Sequence, residues 1–167
     1  ASIMAAVMAS IRAVRTSLVV FDTAVVDLTE QLADPVEVLF GTQLGGGTDI
    51  HRALRYCQGL VRAPQDTLLL LISDLYEGGD RRGLLRCAAA LVGAGVNVVV
   101  LLALSDQGAP SYDHATAAAL AGMGIPAFAC TPEQFPALMA AAIERRDLGA
   151  WAAAQGIVTA AATTSLR

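Results

Sequence analysis

Two runs in this chain leave little choice of architecture. Thr67 to Ser73 and Val96 to Leu104 are apolar almost throughout and lack the apolar–polar alternation of a strand with one face in water. A strand buried on both sides needs a layer above and a layer below, and the usual solution is a parallel sheet covered by helices. Both runs are far shorter than the roughly 20 residues a bilayer-spanning helix requires, so neither predicts a membrane span.

The segments between and around these runs alternate as an α/β fold demands. Ile50, Ala53, Leu54, Cys57 and Val61 share one side of a helix that ends at Ala63-Pro64. A second helix is expected over Arg81 to Val92, turning at Gly93-Ala94-Gly95 into the second apolar run. A helix from about Tyr112 to Ala121, a short strand at Ala127 to Ala129 and a helix from Pro132 to Arg145 follow. Ahead of them, Ile3, Met4, Val7, Met8, Ile11 and Val14 recur at helical spacing. Ser17 to Asp22 and Ala24 to Leu28 lie too close together for an intervening helix and predict a hairpin. One of its strands is expected as an antiparallel edge of the parallel sheet. Asp34-Pro35 starts a short helix with Val36, Leu39 and Phe40 on its apolar side. Residues 1–147 are read as one domain. The alanine-rich stretch from Asp147 to Arg167 is an extension, helical around Trp151 and weakly ordered from Thr159.

Composition narrows the function classes. With 55% hydrophobic and 16% charged residues the chain is not a disordered tail. Aromatics are only 5%, so alanine-rich helices packed closely on a sheet are expected. A net charge of −4 argues against a phosphate-tracking groove and hence against nucleic acid. Cys57, Cys87 and Cys130 are odd in number and form no CxxC pair. They read as small buried hydrophobes in a reducing cytoplasm.

Chemistry concentrates in Gly45-Gly46-Gly47-Thr48-Asp49-Ile50 and in Ser73-Asp74, the end of the first apolar run. Ligands of open α/β sheets gather beyond the carboxyl ends of the strands. A hydroxyl and a carboxylate from separate loops are suitable donors to a hard divalent cation such as Mg²⁺. The plainer readings stand beside this one. Thr48 or Asp49 caps the following helix, and Asp74 caps a helix or orders its own loop. Asp49 and Asp22 are explained by helix-start electrostatics and a turn. Tyr76 and Glu77 are candidates for a recognition rim, and Gly78-Gly79 for a movable loop. His51 and His114 are read as surface or satisfied groups. No GxSxG elbow is present, and GGGTD lacks the lysine of a phosphate-cradling loop.

The segments FGTQLGGGTDIHRAL, LLLLISDLYEGG and VNVVVLLAL resemble the second and third parts of a von Willebrand factor A (VWA) domain, in particular the intracellular bacterial VWA/CoxE-like proteins. The resemblance implies a three-layer, Rossmann-like, mostly parallel sheet with helices on both faces. It places Thr48 at the threonine and Asp74 at the aspartate of the metal-ion-dependent adhesion site. Gly47, Asp49, Asp22, Ser73, Tyr76 and Glu77 would form its second shell or rim. The family's Asp-x-Ser-x-Ser motif and central first strand would precede Ala1, so the expectation is a domain without that strand. The implied cofactor is Mg²⁺ or Mn²⁺, with one coordination position left for a carboxylate of a protein partner. The implied function is noncatalytic interaction, as adaptor to a MoxR-type AAA+ ATPase. Two other readings remain: a Mg-dependent enzyme processing phosphates or nucleotides, and a metal-free interaction fold.

Overall fold

The centre of the fold is a strand with no exposed residue. In a computed structural model, which describes residues 14–30, 47–102, 111–129, 131, 133–157 and 159, the second apolar run forms β4 (Asn97–Leu102) between β3 (Leu68–Ser73) and β5 (Ala127–Ala129). Both pairings are parallel, running from Leu68 opposite Asn97 to Ser73 opposite Leu102 and from Val100 opposite Ala127 to Leu102 opposite Ala129. Successive side chains of a strand point to opposite faces, so β4 feeds two cores. Val98, Val100 and Leu102 face one of them, with Leu71 of β3 and Ala127 of β5. Val99 and Leu101 face the other, with Phe128.

Helices cover both faces, as expected. The first core is closed by α1 (Ile50–Leu60), α2 (Arg81–Gly93) and α3 (His114–Gly122) through Leu54, Leu84, Leu91, Ala117 and Leu120. The second is closed by α4 (Phe135–Ile143) and α5 (Leu148–Ala154) through Leu138, Met139, Ala142, Leu148 and Ala152. Alanines at these contacts let helices sit close to the sheet. A 3₁₀ turn at Pro64–Asp66 joins α1 to β3. No helix among the described residues is long and apolar enough to cross a membrane.

The hairpin forms, but among the described residues it is not an edge of the main sheet. β1 (Val19–Phe21) and β2 (Val25–Asp27) pair antiparallel as a separate two-stranded sheet. Among the described residues, β1 has one ladder partner, β2, and the hairpin is attached by side chains and caps instead. Phe21 packs on the first core, the Tyr56 hydroxyl of α1 donates to Asp27 Oδ2 at 2.7 Å, and the Asp49 N–H donates to the Asp22 carbonyl at 2.8 Å. Helix α4 starts at Phe135, later than Pro132, with the Gln134 side chain turned back to accept from the Thr131 N–H at 3.2 Å. Pro136 then sits in the first turn, where its missing N–H is no loss. Trp151 of α5 packs on the second core, and Thr159 forms an antiparallel bridge with Phe128. The helix expected from Ile3 to Val14 lies outside the described residues except for Val14 itself, which is exposed. The short helix at Asp34-Pro35, residues Gly45, Gly46 and Cys130, and the chain from 160 onward also lie outside them.

The central layer can be tested at Phe128, fully buried on β5. Phe128→Ala is expected to lower the unfolding free energy by about 3–5 kcal/mol. Leu60→Ala, at the exposed end of α1, should change it by less than about 0.5 kcal/mol. Urea unfolding measures both, and an unchanged midpoint for Phe128→Ala would contradict a sheet packed on two sides.

Candidate functional site at the carboxyl edge of the sheet

β3 delivers its polar end directly to this edge. Ser73 is buried, and its Oγ accepts from the Leu75 N–H at 3.0 Å. Asp74 is half-buried; its Oδ1 accepts from the Tyr76 N–H at 3.1 Å, and its carbonyl accepts from the Asp113 N–H at 2.9 Å. Between them in the turn, Leu75 lies in the left-handed region with φ 63°. That conformation costs a non-glycine residue about 1–2 kcal/mol. The Leu75 side chain is wholly buried in the first core, and this burial offsets the strain and fixes where the Asp74 carboxylate stands.

The glycine loop arrives from the other side. Asp49, not Thr48, is the N-cap of α1, with Oδ1 accepting from the Arg52 N–H at 2.8 Å. Capping therefore leaves the half-buried Thr48 unengaged, and its hydroxyl has no hydrogen-bond partner among the described residues. The Thr48 carbonyl accepts from the Gly78 N–H at 2.7 Å, which brings the two loops into contact. A Cβ on Gly78 would sit 3.0 Å from the Thr48 carbonyl oxygen, so glycine serves close approach here and not loop movement. Gly47 is exposed and its position leaves ordinary space for a Cβ, 3.7 Å from Thr23 Cγ2.

The residues expected at the rim divide. Tyr76 is 54% exposed beside Asp74. Glu77 turns inward: Oε2 accepts from the Ile50 and His51 N–H groups at 2.8 and 3.1 Å, and Oε1 from the Gly79 N–H at 2.7 Å. An anionic side chain is well placed there, against the positive end of α1. Asp22 orders the hairpin turn, accepting from the Ala24 N–H at 2.6 Å.

Two carboxylates not singled out from the sequence also stand at this edge. Asp80 caps α2 through the Gly83 N–H at 2.8 Å, and that bond holds its carboxyl below the usual carboxylate range. Asp113 caps α3, accepting from the Ala115 and Thr116 N–H groups, and its Oδ2 accepts from the Thr116 hydroxyl at 2.7 Å. The same buried hydroxyl accepts from Arg81 Nε at 2.8 Å. Burial works against the charged form of Asp113, but the Thr116 and Ala115 bonds and the Arg81 charge outweigh it and lower its pKa. Both were findable as aspartates immediately preceding a helical pattern.

His51 Nδ1 is 4.0 Å from Asp80 Oδ2, beyond hydrogen-bond range, and the His114 ring lies 4.3 Å from that of Tyr112. Cys57 and Cys87 are free; burial pushes the Cys57 thiol up to about 11 and raises that of Cys87. At the opposite end of β4 an open cleft of about 410 Å³ is lined by Asn97, Pro126, Arg146 and Asp147 and includes none of the candidate residues.

As donors, Thr48 and Asp74 offer a hydroxyl and a carboxylate oxygen, the hard ligands that Mg²⁺ and Mn²⁺ prefer. By chemical type they would supply two donors of a coordination sphere. Among the described residues no group of three or more His, Cys, Asp or Glu is placed to hold a metal ion, so further ligands would be water or lie elsewhere.

Comparison with known proteins points to one family. The family described as VWA domain containing CoxE-like protein matches residues 1–139. Over 139 residues the chain is 42% identical to the uncharacterized protein YehP of Escherichia coli (strain K12), covering 83% of this chain and 37% of YehP. The chain thus spans little more than a third of that curated relative's length. No solved structure matches.

Two outcomes follow from the geometry of this edge. Gly78→Ala should destabilise by about 1–3 kcal/mol, because the added methyl meets backbone that cannot swing away. Gly59→Ala, in α1 with open space around it, should stabilise by about 0.5–1 kcal/mol in the same urea titration. Equal effects would remove the close-approach argument. Asp113 supplies a pH dependence. Its folded pKa is depressed from 3.8, so its stabilisation is present above that value and is lost as pH falls through the lower folded one. Asp113→Asn should therefore be less stable than wild type at neutral pH, with the gap closing below pH 3.8. A gap that widens in acid would reverse the assignment.

Proposed function

The chain belongs to the VWA domain containing CoxE-like proteins, and from that premise we propose a noncatalytic protein-interaction domain that binds through the carboxyl edge of its sheet. Thr48 and Asp74 contribute two ligands to a Mg²⁺ or Mn²⁺ site, and the partner supplies an acidic residue. When bound, the cation gives the contact its direction and its dependence on a carboxylate.

The observation that carries this reading is the division of labour at α1. Asp49 and Glu77 satisfy the helix terminus, which leaves the Thr48 hydroxyl unengaged among the described residues, one loop contact away from the segment that holds Asp74. Asp74 uses one oxygen within its own turn. Tyr76, exposed beside it, offers a partner an aromatic surface with a polar tip. A role as adaptor to a MoxR-type AAA+ ATPase is part of the same proposal, as is a cytoplasmic location, which suits the free thiols of Cys57 and Cys87. A metal-free interaction fold is the second reading, favoured by the absence of a three-ligand acidic or histidine group among the described residues.

Titration with Mn²⁺, followed by calorimetry and water-proton relaxation, decides between them. Binding by the chain that weakens about tenfold or more in both Thr48→Ala and Asp74→Ala, a loss of at least about 1.4 kcal/mol, supports the cation site. No binding, or binding indifferent to both substitutions, leaves the metal-free reading.

A further inference from the structure

We infer that Glu77 is the positioning residue of this edge: its carboxylate clamps the Asp74 loop onto the first turn of α1 and thereby sets the placement of Thr48 relative to Asp74. For its effect on binding, this inference rests on the cation reading above.

A helix begins with N–H groups that have no partner inside the helix. In α1 the Asp49 side chain takes the Arg52 N–H at 2.8 Å, as an ordinary N-cap does. The N–H groups of Ile50 and His51 are taken at 2.8 and 3.1 Å by Glu77, a residue 27 and 26 positions away in sequence. A cap supplied by a distant loop is also a tether. The other oxygen of the same carboxylate accepts from the Gly79 N–H at 2.7 Å, so the side chain is held at both oxygens and cannot swing out without breaking three bonds.

The tether acts on both candidate ligands. Its α1 end begins two residues after Thr48, whose carbonyl accepts from the Gly78 N–H at 2.7 Å. Its loop end follows Asp74, where the chain is fixed by the Asp113 N–H, at 2.9 Å from the Asp74 carbonyl, and by the buried, left-handed Leu75. With Asp74 anchored, the freedom left to the loop is its approach to Thr48, and Glu77 and Gly78 remove it. Glutamate is required chemically because both oxygens accept at once. Glutamine presents an NH₂ group in place of one of them, facing either the Gly79 N–H or those of α1. A Cβ on Gly79 would lie 2.9 Å from Glu77 Oε1, so the carboxylate would have to shift to admit it.

Two variants of the full chain test this. Glu77→Gln breaks the clamp and removes a charge, whereas Gly79→Ala displaces the carboxylate and keeps the charge. Amide hydrogen exchange reads the clamp itself. Both variants should speed exchange at Gly78, whose acceptor is Thr48 and not Glu77, and unchanged Gly78 protection in both overturns the inference whatever the metal does. Mn²⁺ titration reads the consequence. Both variants should bind about tenfold more weakly, the usual loss when an outer-shell support is removed. On a Thr48→Ala background, neither should cause further loss, because groups that act through one another are not additive. Loss in Glu77→Gln alone would assign the effect to charge, and additive losses would assign it to general destabilisation; either outcome overturns positioning. If the wild-type chain binds no Mn²⁺ while Gly78 exchange rises in both variants, the cation reading fails and the clamp stands.

Discussion

Everything in this structure depends on β4 having no face toward water. Val98 to Leu102 alternate between two cores, so helices are needed above and below, and the chain must cross from one side to the other to provide them. α1, α2 and α3 close one core, and α4 and α5 close the other. Parallel pairing with β3 and β5 follows, because each crossover returns the chain to the same end of the sheet. One edge of the sheet then collects strand ends and helix starts together. The candidate site is a consequence of that topology before it is a property of any residue.

At that edge carboxylates do structural work. Asp22, Asp49, Asp74, Glu77, Asp80 and Asp113 each accept at least one backbone N–H. Four of them, Asp49, Glu77, Asp80 and Asp113, sit at the positive ends of helices, where negative charge is favoured. The loops are thereby held by side-chain carboxyl oxygens bonded to backbone N–H groups. Leu75 adds a different restraint, a strained backbone kept in place by a side chain with nowhere else to go. Thr48 stands out in this setting as a polar side chain that the local hydrogen bonding does not use among the described residues.

Much of the fold was legible in the residues. The apolar runs gave β3 and β4, the helical stripe at Ile50, Ala53 and Leu54 gave α1, and the Gly93-Ala94-Gly95 turn gave the end of α2. These patterns are local and repeat within a few residues. Pattern and structure part where a residue's partner is remote. The hairpin was expected on the edge of the main sheet because strands 17–22 and 24–28 announce each other, whereas nothing in them announces which third strand lies alongside. A helix is expected from Pro132, whereas α4 starts at Phe135, after the Gln134 side chain has turned back to the Thr131 N–H.

The same distinction divides the candidate site. The sequence by itself determined that a threonine would follow a glycine loop into a helix, that an aspartate would follow an apolar strand, and that both would stand at the carboxyl edge of a parallel sheet. Periodicity and strand direction suffice for that. Only the tertiary structure decided that Asp49 and not Thr48 caps α1, that Glu77 points into α1 and not out to a partner, and that Gly78 serves contact and not motion. The last two outcomes are hydrogen bonds or close approaches between segments more than twenty residues apart, whereas the first is a local choice between two adjacent residues that can both cap. The packing of whole helices on the sheet determines which backbone groups meet.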